Sequence, residues 1–446
     1  MTATDPPAPR FLPQLACETV PRYTSYPPAT GFEADTGAQS WSRWMHALPD
    51  NPAVSLYLHI PFCKSMCWYC GCHTTIPNRR DRIERYVEAL LLEFDQRAAQ
   101  LPSGHSVHHV HFGGGSPDML DTVEFGRILG RIRECFTLAP DAEIAAELDP
   151  RGVTPELAAS LVENGFNRAS LGVQDLSEEV QTLIHRIQPL ATVEKAVETL
   201  RSAGIPAINL DIMYGLPAQT RERVARTARC AAMLKPDRIA LFGYAHVPWF
   251  KKHQRAIPED RLPGAQARFD QMFTASGVLE LAGYEPVGFD HFAKPDDPLA
   301  IAAREGTLNR NFQGYTDDRY DVLIGLGASA ISEAPGGYIQ NQPDPALYAQ
   351  ALENKASAMI RGRARNDEER QAGARIERLL CDFRLPADVV DAQDRAALNE
   401  LNALGLVEDN GEGLTVTPAG RPYVRNIAAR LDPAFVTGAQ RHSVAV

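Results

Sequence analysis

The chain has 446 residues, of which 44% are hydrophobic and 23% are charged, a composition typical of a globular protein with a sizeable core. Its formal net charge of −11 argues against nucleic acid as the main partner, because phosphate backbones bind positively charged surfaces. No uninterrupted apolar run approaches the ~18 residues that a membrane span requires, so the sequence predicts no membrane insertion.

Short apolar or alternating runs recur along the chain, and each is followed by a helical pattern. The six runs lie at residues 56–60, 107–112, 143–148, 169–174, 208–213 and 238–244. One helix is indicated by apolar residues at helical spacing, namely Ile83, Val87, Leu90, Leu91 and Phe94. A second is indicated by the cap residue Thr154 followed by Pro155. Six β-α units in succession predict an α/β fold with a parallel sheet, a partial (β/α)6 TIM-like barrel.

Residues suited to bind ligands or take part in reactions lie where these strands end. In barrels of this kind the active site lies at the carboxyl ends of the strands, because the β-α loops converge there. A cysteine-rich loop follows the first strand, and Gly113-Gly-Gly-Ser-Pro117 follows the second. Glu147, Gln174 and Asp211 lie at the ends of, or within, the next three strands. Each alone is explained by a bare turn or a solvent-facing charge, but their common placement favours a functional site.

The loop after the first strand holds four of the eight cysteines, at Cys63, Cys67, Cys70 and Cys72. Three thiolates at this spacing can bind three irons of a cubane cluster and leave the fourth iron open to another ligand. Structural zinc is the less favoured alternative, because it usually requires a second pair of ligands and only His73 lies nearby. Disulfide frameworks are typical of small secreted chains, and no apolar signal segment is evident, so we expect reduced thiols and a cytoplasmic location.

The C-x-x-x-C-x-x-C spacing, with the aromatic Tyr69 before the third cysteine, resembles the radical S-adenosylmethionine superfamily. Residues 113–115 are similar to the methionine-binding glycine motif of that superfamily. Further segments narrow the resemblance to the oxygen-independent coproporphyrinogen III oxidases. These segments are Pro21-Arg-Tyr-Thr-Ser-Tyr-Pro27, Cys70-Gly-Cys72, Gly172-Val-Gln-Asp175, Tyr214-Gly-Leu-Pro217, Tyr244-Ala-His-Val-Pro248, Asn311-Phe-Gln-Gly-Tyr-Thr316 and Gly327-Ala-Ser-Ala-Ile-Ser332.

The resemblance implies two kinds of cofactor, a [4Fe-4S] cluster and two molecules of S-adenosylmethionine. The implied cluster ligands are Cys63, Cys67 and Cys70, whereas Cys72 is implied not to be a ligand. The residues implied around the first S-adenosylmethionine are Tyr57, Gly114, Glu147 and Ile331. Those implied around the second are Tyr69, Gly115, Ser116, Gln174, Arg186, Asp211 and Ala245. These residue types suit the ligand, because carboxylates accept hydrogen bonds from ribose hydroxyls and arginine binds a methionine carboxylate bidentately.

Two positions depart from the family pattern. Ser116 stands where threonine is usual, and His185 stands where asparagine is common. Serine keeps the hydroxyl of threonine, so we expect the role of this position to be retained. The neighbouring His185 leaves the effect on the Arg186 site open.

The implied reaction is the oxidative decarboxylation of two propionate side chains of coproporphyrinogen III, which gives protoporphyrinogen IX in heme biosynthesis. The cofactors supply the chemistry, so no further catalytic side chain is assigned. A substrate with four carboxylates requires positive groups near the barrel mouth of this acidic protein. Arg22 is the first candidate, Phe312 and Gln313 are candidates for shaping the substrate side, and the weaker candidates are Lys251, Lys252 and Arg310.

The sequence suggests three parts. Residues 1–50 are expected to form an N-terminal lid segment that covers the substrate, and residues 51–365 the barrel with its extension. Residues 366–446 are expected to form a small, mainly helical domain, with helices near 375–383 and 394–404 and a hairpin at 406–417, which resembles a winged helix. DNA binding by this part is disfavoured by its many acidic side chains, so a packing or covering role is expected.

Two other functions stay open at this point. One is a heme-binding chaperone related to the oxidases, which the Tyr-Thr-Ser-Tyr-Pro segment and Cys72 disfavour. The other is a radical enzyme with a different substrate, because cofactor motifs do not identify the substrate. The expected partners are coproporphyrinogen III and a reductant protein such as a flavodoxin or ferredoxin. A monomer is expected.

Overall fold

The computed structural model describes residues 10–435. Its helices are α1 Pro13–Ala16, α2 Ala38–His46, α3 Asp81–Ala98, α4 Thr122–Cys135, α5 Pro155–Glu163, α6 Glu178–Leu183, α7 Leu190–Ala203, α8 Arg221–Met233, α9 Ala265–Leu281, α10 Pro298–Glu305, α11 Pro345–Glu353, α12 Asp367–Asp382, α13 Ala392–Ala397, α14 Asn399–Ala403 and α15 Val424–Arg430.

The strands follow in the same chain order. They are β1 Ala53–Ile60, β2 Ser106–Gly114, β3 Leu138–Leu148, β4 Arg168–Gln174, β5 Ala207–Tyr214, β6 Arg238–Gly243, β7 Glu285–Val287, β8 His291–Ala293, β9 Asn309–Asn311, β10 Gly314–Thr316, β11 Val322–Leu326, β12 Ile331–Ala334, β13 Gly337–Asn341, β14 Met359–Ala364, β15 Arg384–Pro386, β16 Val407–Asp409 and β17 Gly413–Val416.

The strands β1 to β6 lie side by side in chain order, and every neighbouring pair is parallel. The six predicted strands are therefore confirmed, and so is the α/β fold class. Seven of the eight residues of β1 are buried, because this strand lies within the sheet and is covered on both faces, as parallel strands usually are. The carboxyl ends of the six strands all lie at one edge of the sheet.

The sheet continues beyond the six predicted strands. On one side β11 pairs parallel with β1, and β12, β13 and β14 follow antiparallel. On the other side β8 pairs antiparallel with β6, and β7 pairs with β8. The result is a sheet of twelve strands, twice the number that the sequence predicted.

Two of the helices between the strands follow the pattern seen in the sequence. The hydroxyl of Thr154 accepts a hydrogen bond from the backbone N–H of Leu157 at 3.2 Å, and Pro155 begins α5; such a cap contributes about 1 kcal/mol. Helix α3 buries the predicted residues Ile83, Val87, Leu90 and Phe94 against the main core. Burial of each such side chain contributes roughly 1.5–3 kcal/mol, so this apolar face holds α3 against the sheet.

The N-terminal segment and the C-terminal residues share a second hydrophobic core. Leu12, Leu15 and Tyr26 pack with buried residues of α12 and α15. The hydroxyl of Tyr423 accepts a hydrogen bond from the N–H of Leu12 and donates one to the carbonyl of Arg10, each at 2.8 Å. The two ends of the described chain therefore stabilise each other.

The C-terminal residues contain the predicted hairpin, because β16 and β17 pair antiparallel. A third strand, β15, completes a small sheet in the order β15-β17-β16. The predicted helix at 394–404 is wrong in one detail, since it is divided at Leu398 into α13 and α14. None of the helices between residues 10 and 435 has the length and apolar character needed to cross a membrane.

We expect Asp432→Ala to loosen the contact between the two ends of the chain. The buried carboxylate of Asp432 accepts hydrogen bonds from Tyr23 at 3.0 Å and from Tyr26 at 2.7 Å. Each phenol left buried without a partner costs about 1–3 kcal/mol. Hydrogen exchange in residues 20–28 should accelerate by at least about tenfold, while the exposed control Asp388→Ala should match the wild type. Unchanged exchange in the Asp432 variant would contradict this account.

Candidate functional site

Four cysteines of the loop after β1 line one cavity of about 380 Å³, here called the cysteine cavity. They are Cys63, Cys67, Cys70 and Cys72, and the hydroxyl of Thr74 donates a hydrogen bond to the sulfur of Cys63 at 3.1 Å. Burial raises the pKa of Cys63 to about 12. The hydrogen bond with the Cys72 thiol lowers the pKa of Cys70 to about 6.

A segment that follows β6 holds the cysteine loop in place. Its side chains donate hydrogen bonds to loop carbonyls: Lys251 to Cys72 at 2.9 Å, His253 to Cys70 at 2.7 Å and Gln254 to Tyr69 at 3.0 Å. The loop is thereby tied to both sides of the barrel, because it starts at β1 and the segment starts at β6. Lys251 therefore supports the loop, and neither it nor Lys252 lines the cavities described here.

The glycine stretch after β2 packs directly against the same loop. The N–H of Gly115 donates to the carbonyl of Ile60, and that of Ser116 donates to the carbonyl of Phe62, each at 2.8 Å. A Cβ at Gly115 would lie 2.5 Å from the Phe62 carbonyl oxygen, so only glycine allows this approach. The stretch brings Gly114, Gly115 and Ser116 to the wall of the cysteine cavity.

Glu147 and Asp211 face the same cavity from β3 and β5, but their environments differ. Burial disfavours ionisation of Glu147, yet its hydrogen bonds with His111 at 3.0 Å and with the N–H of Gly114 at 3.3 Å outweigh burial and lower its pKa. Burial and the nearby Glu147 raise the pKa of Asp211 to about 7. One carboxylate is therefore ionised at neutral pH, and the other titrates there.

Arg186 and Gln174 complete this wall. Arg186 donates to the carbonyl of Gly172 at 2.8 Å and to the carboxylate of Asp149 at 3.2 Å. Gln174 adopts a left-handed backbone conformation with φ 65° at the end of β4, a conformation that non-glycine residues adopt rarely and often at functional sites. The acidic partner of Arg186, Asp149, could not be identified from the sequence, because it lies 37 residues away.

The cysteine cavity adjoins a second cavity of about 400 Å³, here called the central cavity. The walls they share include Tyr69, Cys72, Glu147, Gln174 and Asp211. A third cavity of about 160 Å³, here called the arginine cavity, shares Arg22, Gly243 and Gln313 with the central one. A larger cavity of about 680 Å³ lies beside the N-terminal segment and has none of the predicted cofactor residues in its wall.

Most predicted site residues are brought together. Those that line the cysteine cavity are Cys63, Cys67, Cys70, Tyr69, Gly114, Gly115, Ser116, Glu147, Gln174, Arg186 and Asp211. Ala245 lines the central cavity, and Phe312 lines the arginine cavity. Tyr57 is buried behind Phe312, with ring centroids 4.9 Å apart, and Ile331 lies in β12 away from these three walls. The roles of all these residues stay predictions.

The lining of the cysteine cavity fits a cluster with an adenosine-containing ligand beside it. In a cubane cluster each thiolate binds its own iron, and the wall offers the thiols of Cys63, Cys67 and Cys70. The same wall also holds the glycine-rich backbone and the carboxylates of Glu147 and Asp211.

Comparisons with known proteins agree with this reading. A sequence model of the radical S-adenosylmethionine superfamily matches residues 57–231. The oxygen-independent coproporphyrinogen III oxidase of Bradyrhizobium diazoefficiens is 43% identical over 96% of this chain and 98% of its own. That of Escherichia coli is 38% identical over 92% of both chains. The solved structure of coproporphyrinogen III oxidase from Escherichia coli, described as a radical SAM enzyme, matches 92% of this chain and 97% of its own with a TM-score of 0.88.

These likenesses define the protein as a radical S-adenosylmethionine enzyme, a class that uses a [4Fe-4S] cluster and S-adenosylmethionine. Within that class, the chain belongs to the family of oxygen-independent coproporphyrinogen III oxidases.

We expect Gly115→Ala to impair cluster assembly. The new Cβ would collide with the Phe62 carbonyl, so the glycine stretch or the cysteine loop must move. Iron and sulfide content after anaerobic reconstitution should fall several-fold. Gly130→Ala in α4 is the matched control, because no atom lies within 4 Å of its Cβ and alanine favours helix by about 1 kcal/mol. Full iron loading of the Gly115 variant would show that the close contact is dispensable.

Proposed function

We propose that the protein converts coproporphyrinogen III to protoporphyrinogen IX by oxygen-independent oxidative decarboxylation, as a step of heme biosynthesis. The observation that carries the proposal is the row of three adjoining cavities, which connects the cysteine loop with a group of arginines. A substrate with several carboxylates can lie in the central cavity with one end at the arginines and the other at the cysteines. The names of the full-length relatives support the same substrate.

We further propose that Cys63, Cys67 and Cys70 hold the cluster and that Cys72 does not. The proposal assigns Tyr57, Gly114, Glu147 and Ile331 to the first S-adenosylmethionine. It assigns a second molecule to Tyr69, Gly115, Ser116, Gln174, Arg186, Asp211 and Ala245. The placement of Glu147 and Asp211 on the wall shared by two cavities supports a cofactor that lies between cluster and substrate.

When bound, a reduced cluster and S-adenosylmethionine would supply the radical chemistry that removes a hydrogen atom from a propionate arm. The chain positions these reactants: Arg186 binds a methionine carboxylate, and the ionised Glu147 accepts hydrogen bonds from a ribose. Phe312 and Gln313 shape the substrate side, and the N-terminal segment with Arg22 covers it.

We propose three working parts: the covering segment 1–50, the barrel with its extension 51–365, and the helical part 366–446. The shared hydrophobic core of the first and last parts supports a joint covering role. We also propose that the protein acts in the cytoplasm as a monomer. All eight cysteines lie in the described part of the chain and are free thiols, as is usual in a reducing compartment.

The direct test is an anaerobic assay of the reconstituted, reduced protein with S-adenosylmethionine and coproporphyrinogen III. We expect 5'-deoxyadenosine and protoporphyrinogen to form together, and only when the substrate is present. Cys63→Ser should abolish both products by removing a cluster ligand, whereas Cys72→Ser should keep the iron content. Stable heme binding without porphyrin turnover would contradict the proposal.

The raised pKa of Asp211 predicts a pH-dependent affinity for S-adenosylmethionine. Because Asp211 is neutral below about pH 7, its attraction for the cationic sulfonium should strengthen as the pH rises from 6 to 8. This attraction should raise the affinity for S-adenosylmethionine by at most about tenfold per pH unit below the pKa of Asp211. In calorimetric titrations, Asp211→Asn should lose this part of the pH dependence, whereas the exposed control Asp141→Asn should retain it. Identical pH profiles for wild type and Asp211→Asn would exclude this role.

We propose that an acidic reductant protein, such as a flavodoxin or ferredoxin, docks on residues 249–252. Trp249 and Phe250 are 48% and 75% exposed, Lys252 is also exposed, and Lys251 bonds directly to the cysteine loop. An apolar centre with a basic rim is suited to an acidic partner. This surface therefore lies next to the proposed cluster.

Lys252→Glu should slow reduction by flavodoxin about tenfold at low salt. Stopped-flow absorbance measures the rate, with dithionite as the internal reference and Lys235→Glu as an exposed control. An equal decrease in the reduction rate with both reductants would assign the defect to the cluster. An unchanged rate with flavodoxin would exclude this docking surface.

A further inference from the structure

The arginine cavity has a charge opposite to that of the protein. Its wall contains four arginines, Arg22, Arg268, Arg310 and Arg425, and a single acidic residue, Asp290. The whole chain carries a formal net charge of −11. Four guanidinium groups at a small cavity repel one another, so an arrangement of this kind is stabilised by an anionic ligand.

The four arginines come from distant parts of the chain. Arg22 lies in the N-terminal segment, Arg268 in α9, Arg310 in β9 and Arg425 in α15. Burial, together with the neighbouring Arg22 and Arg310, lowers the pKa of Arg425 to about 9. The fold therefore brings positive charges together against both desolvation and repulsion.

The one acidic residue already has a hydrogen-bond partner. The carboxylate of Asp290 lies 2.7 Å from Nδ1 of His291. Burial opposes ionisation of Asp290, but His291, Arg310 and Arg22 outweigh burial and hold its pKa below the usual value. The cavity wall therefore presents four arginines and one carboxylate.

The guanidinium groups of Arg22 and Arg310 are positioned by carbonyls and rings. Arg310 donates to the carbonyls of Arg22 at 3.0 Å and of Tyr23 at 2.7 Å, and it lies over the rings of Phe289 and Tyr315. Its buried Nε has no hydrogen-bond partner within the described part of the chain. Arg22 donates to the carbonyl of Gly243 at 3.2 Å and is exposed to the cavity. These contacts orient the two side chains and leave their charge for a ligand.

The size and position of the cavity identify the part of the ligand that it can take. At about 160 Å³ it is smaller than the roughly 300 Å³ of ordinary small-molecule pockets, so it suits side arms and excludes a tetrapyrrole ring. It opens on the central cavity through Arg22, Gly243 and Gln313. A ring system in the central cavity can therefore extend carboxylate arms into the arginine cavity.

We propose that Arg22, Arg268, Arg310 and Arg425 bind the two propionate carboxylates that the product retains. This inference rests on the proposed function. A guanidinium group binds a carboxylate bidentately, so anchoring of the two unreactive arms fixes which arms face the cysteine cavity. The arginine cavity thus determines both the substrate class, a tetrapyrrole with carboxylate arms, and the choice of the arms that react.

Two fluorescent porphyrins test the proposal by their affinity for the holoenzyme. Coproporphyrin III carries all four propionates, and deuteroporphyrin IX carries only the two that correspond to the retained arms. Arg268→Gln and Arg22→Gln should each lower the affinity for both porphyrins by about 10- to 100-fold, the range for one charge-assisted hydrogen bond. Arg226→Gln on the exposed face of α8 is the matched control and should bind both porphyrins normally.

The outcomes separate three cases. Loss of affinity for coproporphyrin III alone would show that the cavity binds the reacting arms, and unchanged affinity for both porphyrins would show that it binds no carboxylate. Either result overturns the proposal even if the wild type converts substrate, whereas a wild type without turnover would overturn the proposed function instead.

Two further measurements exclude misfolding of the variants. Circular dichroism and iron content should match the wild type in Arg268→Gln and Arg22→Gln. Arg268→Lys, which keeps the charge but loses the bidentate geometry, should recover part of the affinity. If the folded Arg268→Lys variant bound the porphyrins as weakly as Arg268→Gln, this result would contradict a carboxylate contact at Arg268.

Discussion

The contact between the glycine stretch and the cysteine loop is the constraint on which the rest of the site depends. Gly115 lies against the backbone of Phe62 so closely that no side chain fits between them. The N–H groups of Gly115 and Ser116 donate to the carbonyl of Ile60 at the end of β1 and to that of Phe62 just after it. This contact joins the ends of two neighbouring parallel strands. The cysteines, the glycine backbone and the carboxylates of the next strands therefore lie on one cavity wall, a wall suited to hold a cluster and a cationic cofactor together.

On the substrate side, the local charge is opposite in sign to the net charge of the protein. An acidic protein gathers four arginines at a small cavity, and these arginines come from both ends of the chain as well as from its middle. Docking of the N-terminal segment on α12 and α15 through a shared core is what brings Arg22 and Arg425 to the same place. The proposed covering role of this segment and the proposed binding of carboxylates therefore depend on one packing arrangement.

The six barrel strands and most of the cysteine-cavity wall were predictable, because each strand is a local pattern and each motif lies at a strand end. The strand β11 was not, because its short sequence of five residues becomes a barrel strand only by pairing with β1, more than 260 residues earlier. Arg268 and Arg425 were missed for the same reason, since in sequence they are ordinary helical charges. The contact of Lys251, a weaker candidate for the substrate side, could not be predicted either, because its ammonium group donates to the carbonyl of Cys72 in a distant segment.

In the proposed reaction, the substrate reacts at a propionate arm that lies next to the cofactor. The most direct test uses coproporphyrinogen III with deuterium on the propionate carbons attached to the pyrrole rings, and measures the mass of the 5'-deoxyadenosine released under anaerobic turnover. We expect deuterium to appear in 5'-deoxyadenosine in step with vinyl formation. Formation of protoporphyrinogen with unlabelled 5'-deoxyadenosine would contradict it.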